Sequence, residues 1–163
     1  ALSSAASDVY KRHGDNWASL IANTTWQVGG HTFENIYNVL IKNSYVNEIT
    51  NPAENTTYQA KIGLMYASDY GYAASPESWT TFLSKYDGVA VSNWMYMGWY
   101  DWLITRRSDS TNYAFYIANS GFVDVSGIEN VLGVRPSFYL NSNVVLTSGT
   151  GTQTDPYRIQ AGV

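Results

Sequence analysis

His13 and His31 are the only imidazoles in the chain. Neither has a second histidine four residues on, and no His-Glu-x-x-His run exists, so the sequence spells no zinc site on a helix. Surface or capping use is the expectation for both. Five aspartates, Asp69, Asp87, Asp101, Asp109 and Asp124, could in principle pair for glycoside hydrolysis, which needs two carboxyls roughly 5–10 Å apart. Each stands near a turn or a strand end, where a short acidic side chain ordinarily bonds to nearby backbone. Asp109-Ser110-Thr111-Asn112 is rich in oxygen, but the twelve-residue calcium-loop pattern is not met. The chain has no cysteine, which removes thiolate chemistry, Cys-ligated zinc and disulfides together. These residues predict no metal, no cofactor and no catalytic centre.

Arg135, just ahead of Pro136, is better read as a buried guanidinium held by a carboxylate, Asp69 or Asp101, since a buried charge must be paired. The densest chemistry is aromatic: Trp94, Tyr96, Trp99, Tyr100 and Trp102 fall within nine residues. Large aromatics usually serve the core, so Trp94 and Trp102 are expected mainly inside. Tyr96, Trp99 and Tyr100 are then the partly exposed platform, with Arg106 or Arg107 nearby, the make-up of an interface hot spot.

Charged residues are 13% of the 163-residue chain and aromatics 15%, with 14 Tyr and 6 Trp. That is about half the usual charged share. Tyr, Ser, Gly and Asn give binding loops large contact area and adaptable hydrogen bonds at low entropic cost, although Tyr and Thr also simply suit β-structure. The net charge of −4 excludes a basic footprint for nucleic acid and argues against an electrostatic membrane contact. No apolar run approaches the ~20 residues that span a bilayer, so no membrane insertion is expected of this segment. The chain begins at Ala1, which leaves open a leader or anchor ahead of it.

The elements that must position these residues begin with a helix over Ser3–Ala22, capped by Ser3 or Ser4. A short strand, Thr25–Val28, follows. Phe33, Ile36, Tyr37, Leu40, Ile41 and Tyr45 are at helical spacing and predict a helix to Ile49. Tyr58–Tyr66 is a near-continuous apolar run, read as one buried strand. Pro76–Lys85 predicts a short helix with Ser75 as cap. From Asn93 onward the pattern turns to β. Tyr113–Ala118 and Phe122–Val125 flank Asn119-Ser120-Gly121, a hairpin turn. Val134–Leu140 alternates, Asn143–Thr147 is a further strand, and Tyr157–Ile159 returns as a last one after a Ser/Thr/Gly-rich loop. Helices first and a mainly antiparallel sheet second make a single α+β domain.

The stretch Trp94-Met95-Tyr96-Met97-Gly98-Trp99, then Trp102–Arg106, Ala114-Phe115, Ser120-Gly121-Phe122-Val123 and Gly133-Val134-Arg135-Pro136 carries a resemblance. It is similar to the C-terminal half of C-type-lectin-like domains of the formylglycine-generating-enzyme and diversity-generating-retroelement type. Lys61–Tyr72 and Gly149–Tyr157 resemble segments joined to that half in bacterial surface and pilin-like proteins. The similarity covers residues 58 to 159. It implies a C-type-lectin-like fold and an extracellular or cell-surface recognition module, on a bacterium, pilus or phage, that binds a protein or glycan. Without cysteine the copper–cysteine chemistry of the formylglycine enzymes is impossible here. The Glu-Pro-Asn and Gln-Pro-Asp calcium triplets of sugar-binding C-type lectins are also missing. In the diversified members, exposed positions between the Trp strand and the Arg-Pro strand vary. Carried onto this chain they are Tyr100, Arg107, Asn112, Tyr113, Ile117, Asn119, Asp124, Ser126, Glu129 and Asn130, which join Tyr96 and Trp99 as candidate ligand-binding residues. The alternatives are a structural pilin-like or surface-layer subunit and, behind it, a glycosidase.

Overall fold

The computed structural model describes residues 18–152 and 154–161. Residues 18–20 are helical; the rest of the expected Ser3–Ala22 helix lies outside the described residues. Strand β1 (Thr24–Gln27) pairs antiparallel with β2 (Thr57–Ala60). The chain between them carries α1 (Phe33–Tyr37), α2 (Ile41–Tyr45) and a π-helical turn, Val46–Thr50.

The single helix expected from Phe33 to Ile49 is therefore broken. Asn38 leaves helical geometry at φ −105° and Leu40 is extended at ψ 146°. The Asn38 amide donates to the Glu34 side chain at Oε2, 2.8 Å away, while its backbone N–H closes the last turn on Glu34 O at 3.3 Å; Asn is itself a weak helix former. The break turns Ile36 and Ile41 both into the core. Buried Ser44 then donates its hydroxyl to Ile36 O at 2.5 Å, satisfying a carbonyl that the interrupted helix leaves open.

The run Tyr58–Tyr66 is not one buried strand either. Most of β2 is exposed, and the chain pairs again as β3 (Gly63–Leu64) in a different sheet, against β7 (Pro136–Ser137). The ring of buried Trp26 lies on Gly63, where an added Cβ would come 2.7 Å from Trp26 Cδ2. Only a glycine lets the chain pass so close.

Next comes α3 (Ala67–Tyr72), followed by three 3-10 turns at Pro76–Thr80, Leu83–Gly88 and Ala90–Ser92. The helix expected over Pro76–Lys85 starts where predicted, after Ser75, but Thr81 is extended at ψ 135° and splits it. Thr80 and Thr81 are stiff, β-branched residues that resist the helix interior.

The main sheet has the order β4-β5-β6, all antiparallel: β4 (Asp101–Arg106), β5 (Tyr113–Ile117) and β6 (Val123–Gly127). Its inward side chains Leu103, Phe115, Ile117 and Val123 close on Ile36, Ile41, Met65, Tyr70, Leu83 and Tyr86. Burying one such aliphatic or aromatic side chain contributes about 1.5–3 kcal/mol. The β expected from Asn93 starts only at Asp101; residues 93–100 form turns and bends. Of Val134–Leu140, only Pro136–Ser137 is a strand, and its alternation marks no buried face, since Val134, Phe138 and Leu140 all stay exposed. The last pair, β8 (Val144–Ser148) and β9 (Arg158–Ala161), stands close to where the sequence predicts it. Mixed short helices and small antiparallel sheets make the architecture α+β.

One polar node ties these layers together. Glu48, in the π-helical turn, is fully buried and accepts the N–H of Ala67 at 2.9 Å and of Ser68 at 3.0 Å. Thr105 of β4 donates its hydroxyl to the same carboxyl. Glu48 thus bonds the first N–H groups of α3, which have no partner inside that helix, and fastens them to the main sheet. Burial raises its pKa above the ordinary 4.5, against the opposing pull of these hydrogen bonds.

Candidate functional site

Loop 93–100 is short, aromatic and pinned from below. Asn93 is buried and donates its Nδ2 to Tyr70 O at 2.7 Å, while its Oδ1 accepts Met95 N at 2.9 Å. The Tyr96 hydroxyl donates to Asn119 O at 2.6 Å, joining the loop to the tip of the β5–β6 hairpin. Arg135 donates Nη1 to Met95 O at 2.6 Å and sets its Nε 3.1 Å from Asp101 Oδ2, an ion pair whose N–H is not aligned as a hydrogen bond. The carboxylate partner expected for Arg135 is therefore Asp101. Gly133 N–H bonds Tyr100 O at 2.7 Å, and Trp102 N–H bonds Gly133 O at 2.9 Å, so the loop ends against segment 131–135.

The side chains above these struts face solvent. Trp94 is 77% exposed, Trp99 69% and Met97 58%. Trp94 was expected inside; its N–H instead bonds Ala73 O at 3.3 Å, and the turn after Asn93 points the indole outward. Trp102 is half-buried rather than interior. Tyr96 is half-buried and serves more as a strut than as part of a platform.

The candidate positions split into two groups, and one of them fails. Ile117 is 1% exposed: it alternates with Tyr116 along β5 and shares the inward face with Phe115, so it cannot meet a ligand. At one end of the sheet, Arg107 is closed into a bidentate pair with Asp109, Nε at 2.6 Å and Nη2 at 3.1 Å. Its guanidinium lies 5.8 Å from the ring centres of both Phe33 and Tyr113. This pair holds the Arg107 pKa up and the Asp109 pKa down. Nearby, Asn130 donates to Ser126 Oγ at 2.8 Å, Ile128 N–H bonds Asn112 O at 3.0 Å, and the Glu129 carboxylate lies over Gly127. At the other end are Tyr96, Trp99, Tyr100 and Asn119.

Between them, on the outward face, runs a row in which the sequence offers only Asp124 as a ligand contact and expects Trp102 inside. Trp102, Tyr116 and Asp124 stand directly opposite one another across the three strands. The Tyr116 ring centre is 6.3 Å from that of Trp102 and 6.1 Å from that of Tyr100. The hairpin turn could have revealed the row, because residues equidistant from Ser120 pair, and those include Tyr116 and Asp124.

The carboxylates do not gather. Asp69 accepts Tyr66 N–H at 2.9 Å at the start of α3, and burial raises its pKa. Asp101 holds Arg135, and Asp109 holds Arg107. Among the described residues no three His, Asp or Glu side chains converge on a common point. His31 Nδ1 accepts the Thr32 N–H at 2.9 Å just ahead of α1, but α1 has no side-chain cap, so the capping use expected of His31 is not seen; His13 lies outside the described residues. No helix among them is long and apolar enough to cross a membrane. Comparison with known proteins finds no matching family model, no similar curated protein and no similar solved structure.

Proposed function

We propose that the protein is a recognition module of C-type-lectin-like kind, displayed outside a bacterial cell or on a phage, that binds a protein or glycan through its aromatic surface. The observation that carries this reading is the loop 93–100, where Trp94 and Trp99 are 77% and 69% exposed while the loop beneath them is tied through the Asn93 and Tyr96 side chains and the Met95 and Tyr100 carbonyls. An exposed indole costs solubility; one held on a fixed backbone is pre-organised to bury itself in a partner, with little ordering left to do on binding. Trp and Tyr are also the side chains that dominate binding energy where they are buried at an interface centre. The neutral Asn-, Ser- and Thr-rich surroundings supply hydrogen bonds without committing the surface to a strong charge.

Trp94→Ala and Trp99→Ala are the test. Neither indole has a hydrogen-bond partner among the described residues, so both variants should melt with the wild type. Each should lose about tenfold or more of the affinity for whatever glycan or cell surface the wild type selects from an array. Equal binding by both variants would remove the loop from the account.

A further inference from the structure

The outward row of the main sheet has a chemistry of its own. Asp124 lies on β6 facing Tyr116, and directly opposed residues on one face of a sheet have Cβ atoms about 5 Å apart. Asp124 Oδ1 accepts the N–H of its neighbour Val125 at 2.8 Å. Among the described residues the carboxylate makes no ion pair. Its surroundings are rings: Tyr116, with Tyr100 and Trp102 packed against Tyr116 at 6.1 and 6.3 Å. Tyr37 on α1 is not one of them: its ring centre lies 3.8 Å from that of Phe33 and it packs against the core. Burial raises the hydroxyl pKa of Tyr116 and of Tyr37, and the Asp124 charge adds to both, together with Tyr100 in the first case and Glu34 in the second.

No basic side chain pairs with Asp124 among the described residues: Arg135, beside Tyr100 and Trp102, is held by Asp101 and Met95 O, and Lys85, on the turn that packs along β6, is exposed. Residues 108–134 contain Asp109, Asp124 and Glu129 but no Lys or Arg. Arg106 projects on the same face at the far end of β4, where its Nε bonds Val28 O and its Nη2 bonds Glu54. Arg107 is closed on Asp109. The faces of aromatic rings carry negative potential, and a cation within about 6 Å of several ring centres is attracted to all of them. A half-buried carboxylate at the same spot adds to that field, and the low-dielectric ring walls screen it less than water would.

We infer that Tyr100, Trp102, Tyr116 and Asp124 form a subsite for an organic cation, either a free quaternary ammonium or the ammonium or guanidinium of a partner's side chain. It names one chemical demand that the proposed recognition surface places on its ligand, and it rests on that reading. A neutral ligand would leave Asp124 to be met by water or a hydroxyl; an anion would be repelled by the carboxylate and by the ring faces alike. The rings fix the cation's position and the carboxylate supplies its charge complement.

Titration of the full chain, followed by amide and indole NMR shifts, tests this with choline, N-acetyl-lysine amide and N-acetyl-arginine amide as probes. 3,3-Dimethylbutanol serves as the neutral isostere of choline, and sodium chloride as the ionic-strength control. The expected result is saturable binding of at least one cation, on the order of 1 mM for an isolated group, with shifts confined to the row and no saturation by the alcohol or by sodium. Choline alone points to a free ligand, and the amino-acid amides to a side chain of a protein partner; either supports the subsite. Asp124→Asn keeps an oxygen for the Val125 N–H, so it should fold as the wild type does and weaken the cation about tenfold. Equal binding of choline and its neutral isostere overturns the inference, as do unchanged affinity in Asp124→Asn or no saturation by any cation. Such a failure leaves Trp94 and Trp99 untouched, so it is distinguishable from failure of the loop.

Discussion

Glu48 shows what one buried carboxyl can do at the scale of a residue. Its two oxygens accept adjacent backbone N–H groups and a threonine hydroxyl, so both orphan donors of α3 depend on it. Burial is the largest influence on its pKa and raises it, so the folded state holds the Glu48 proton at pH values where the unfolded chain has released it. Stability from this group is therefore complete below the unfolded value, near 4.5, and falls as pH rises through the folded one. Asp69, also raised by burial, acts in the same direction. In Glu48→Gln the amide nitrogen cannot accept the N–H that either carboxyl oxygen accepts. The variant should lose about 1–3 kcal/mol for an unsatisfied buried donor, and the pH-dependent fall in its stability should shrink. Urea denaturation across mildly acidic to neutral pH measures both, and an unchanged pH slope would show that Glu48 does not titrate there. Nothing in the sequence announced this residue. A glutamate in a run that reads as helix is expected on the solvent side, and the π turn that brings it inside is a tertiary choice.

At the scale of elements, the hairpin β5–β6 was legible and the loop before it was not. Asn119-Ser120-Gly121 sets the register of the whole pair, and Gly121 adopts φ +101°, which a residue with a side chain rarely takes. An added Cβ there would come 2.2 Å from Ala90 Cβ. The same glycine's carbonyl accepts the buried Tyr70 hydroxyl at 2.7 Å. Gly121→Ala should therefore cost about 1–3 kcal/mol through backbone strain alone, more if Ala90 cannot yield, and thermal melting reads it. A Gly121→Ala variant as stable as the wild type would mean that the tip is loose and does not brace the loop at Tyr96. Turn chemistry is local, which is why this element could be read from the chain. The positions of Trp94 and of Ile117 are not local. Trp94 faces out because Asn93 is anchored to Tyr70 O, a contact with another element. Ile117 faces in because the strand's parity relative to Phe115 fixes it; the period-two rule, applied strictly, would have placed it inside. The broken helix at Asn38 and the split run at Lys61 fail for the first reason: tertiary contacts of Ile41 and Trp26 override the local pattern.

Across the whole molecule, support is uneven. The main sheet has its inner face against the buried core, with Phe115 and Val123 inaccessible to solvent. The β8–β9 ribbon is a two-stranded pair in a sheet of its own. Its pairing places Leu146 opposite Ile159 and Val144 opposite Ala161 on one face; Val144 and Ile159 are half-buried but Leu146 is 59% exposed, so that face is only partly covered by the other described residues. A two-stranded ribbon without a packed face is marginal in water, whereas a strand whose side chains fill the core opens only when the core does. Hydrogen exchange should divide accordingly. Amides of β5, central in the main sheet, should exchange only through global unfolding, with a denaturant dependence matching that of the melt. Those of β8 and β9 should exchange by local opening, orders of magnitude faster and with little denaturant dependence. Comparable protection in the two sheets would show that something covers the Leu146 face in solution, and the ribbon would then be a buried interface rather than a free appendage.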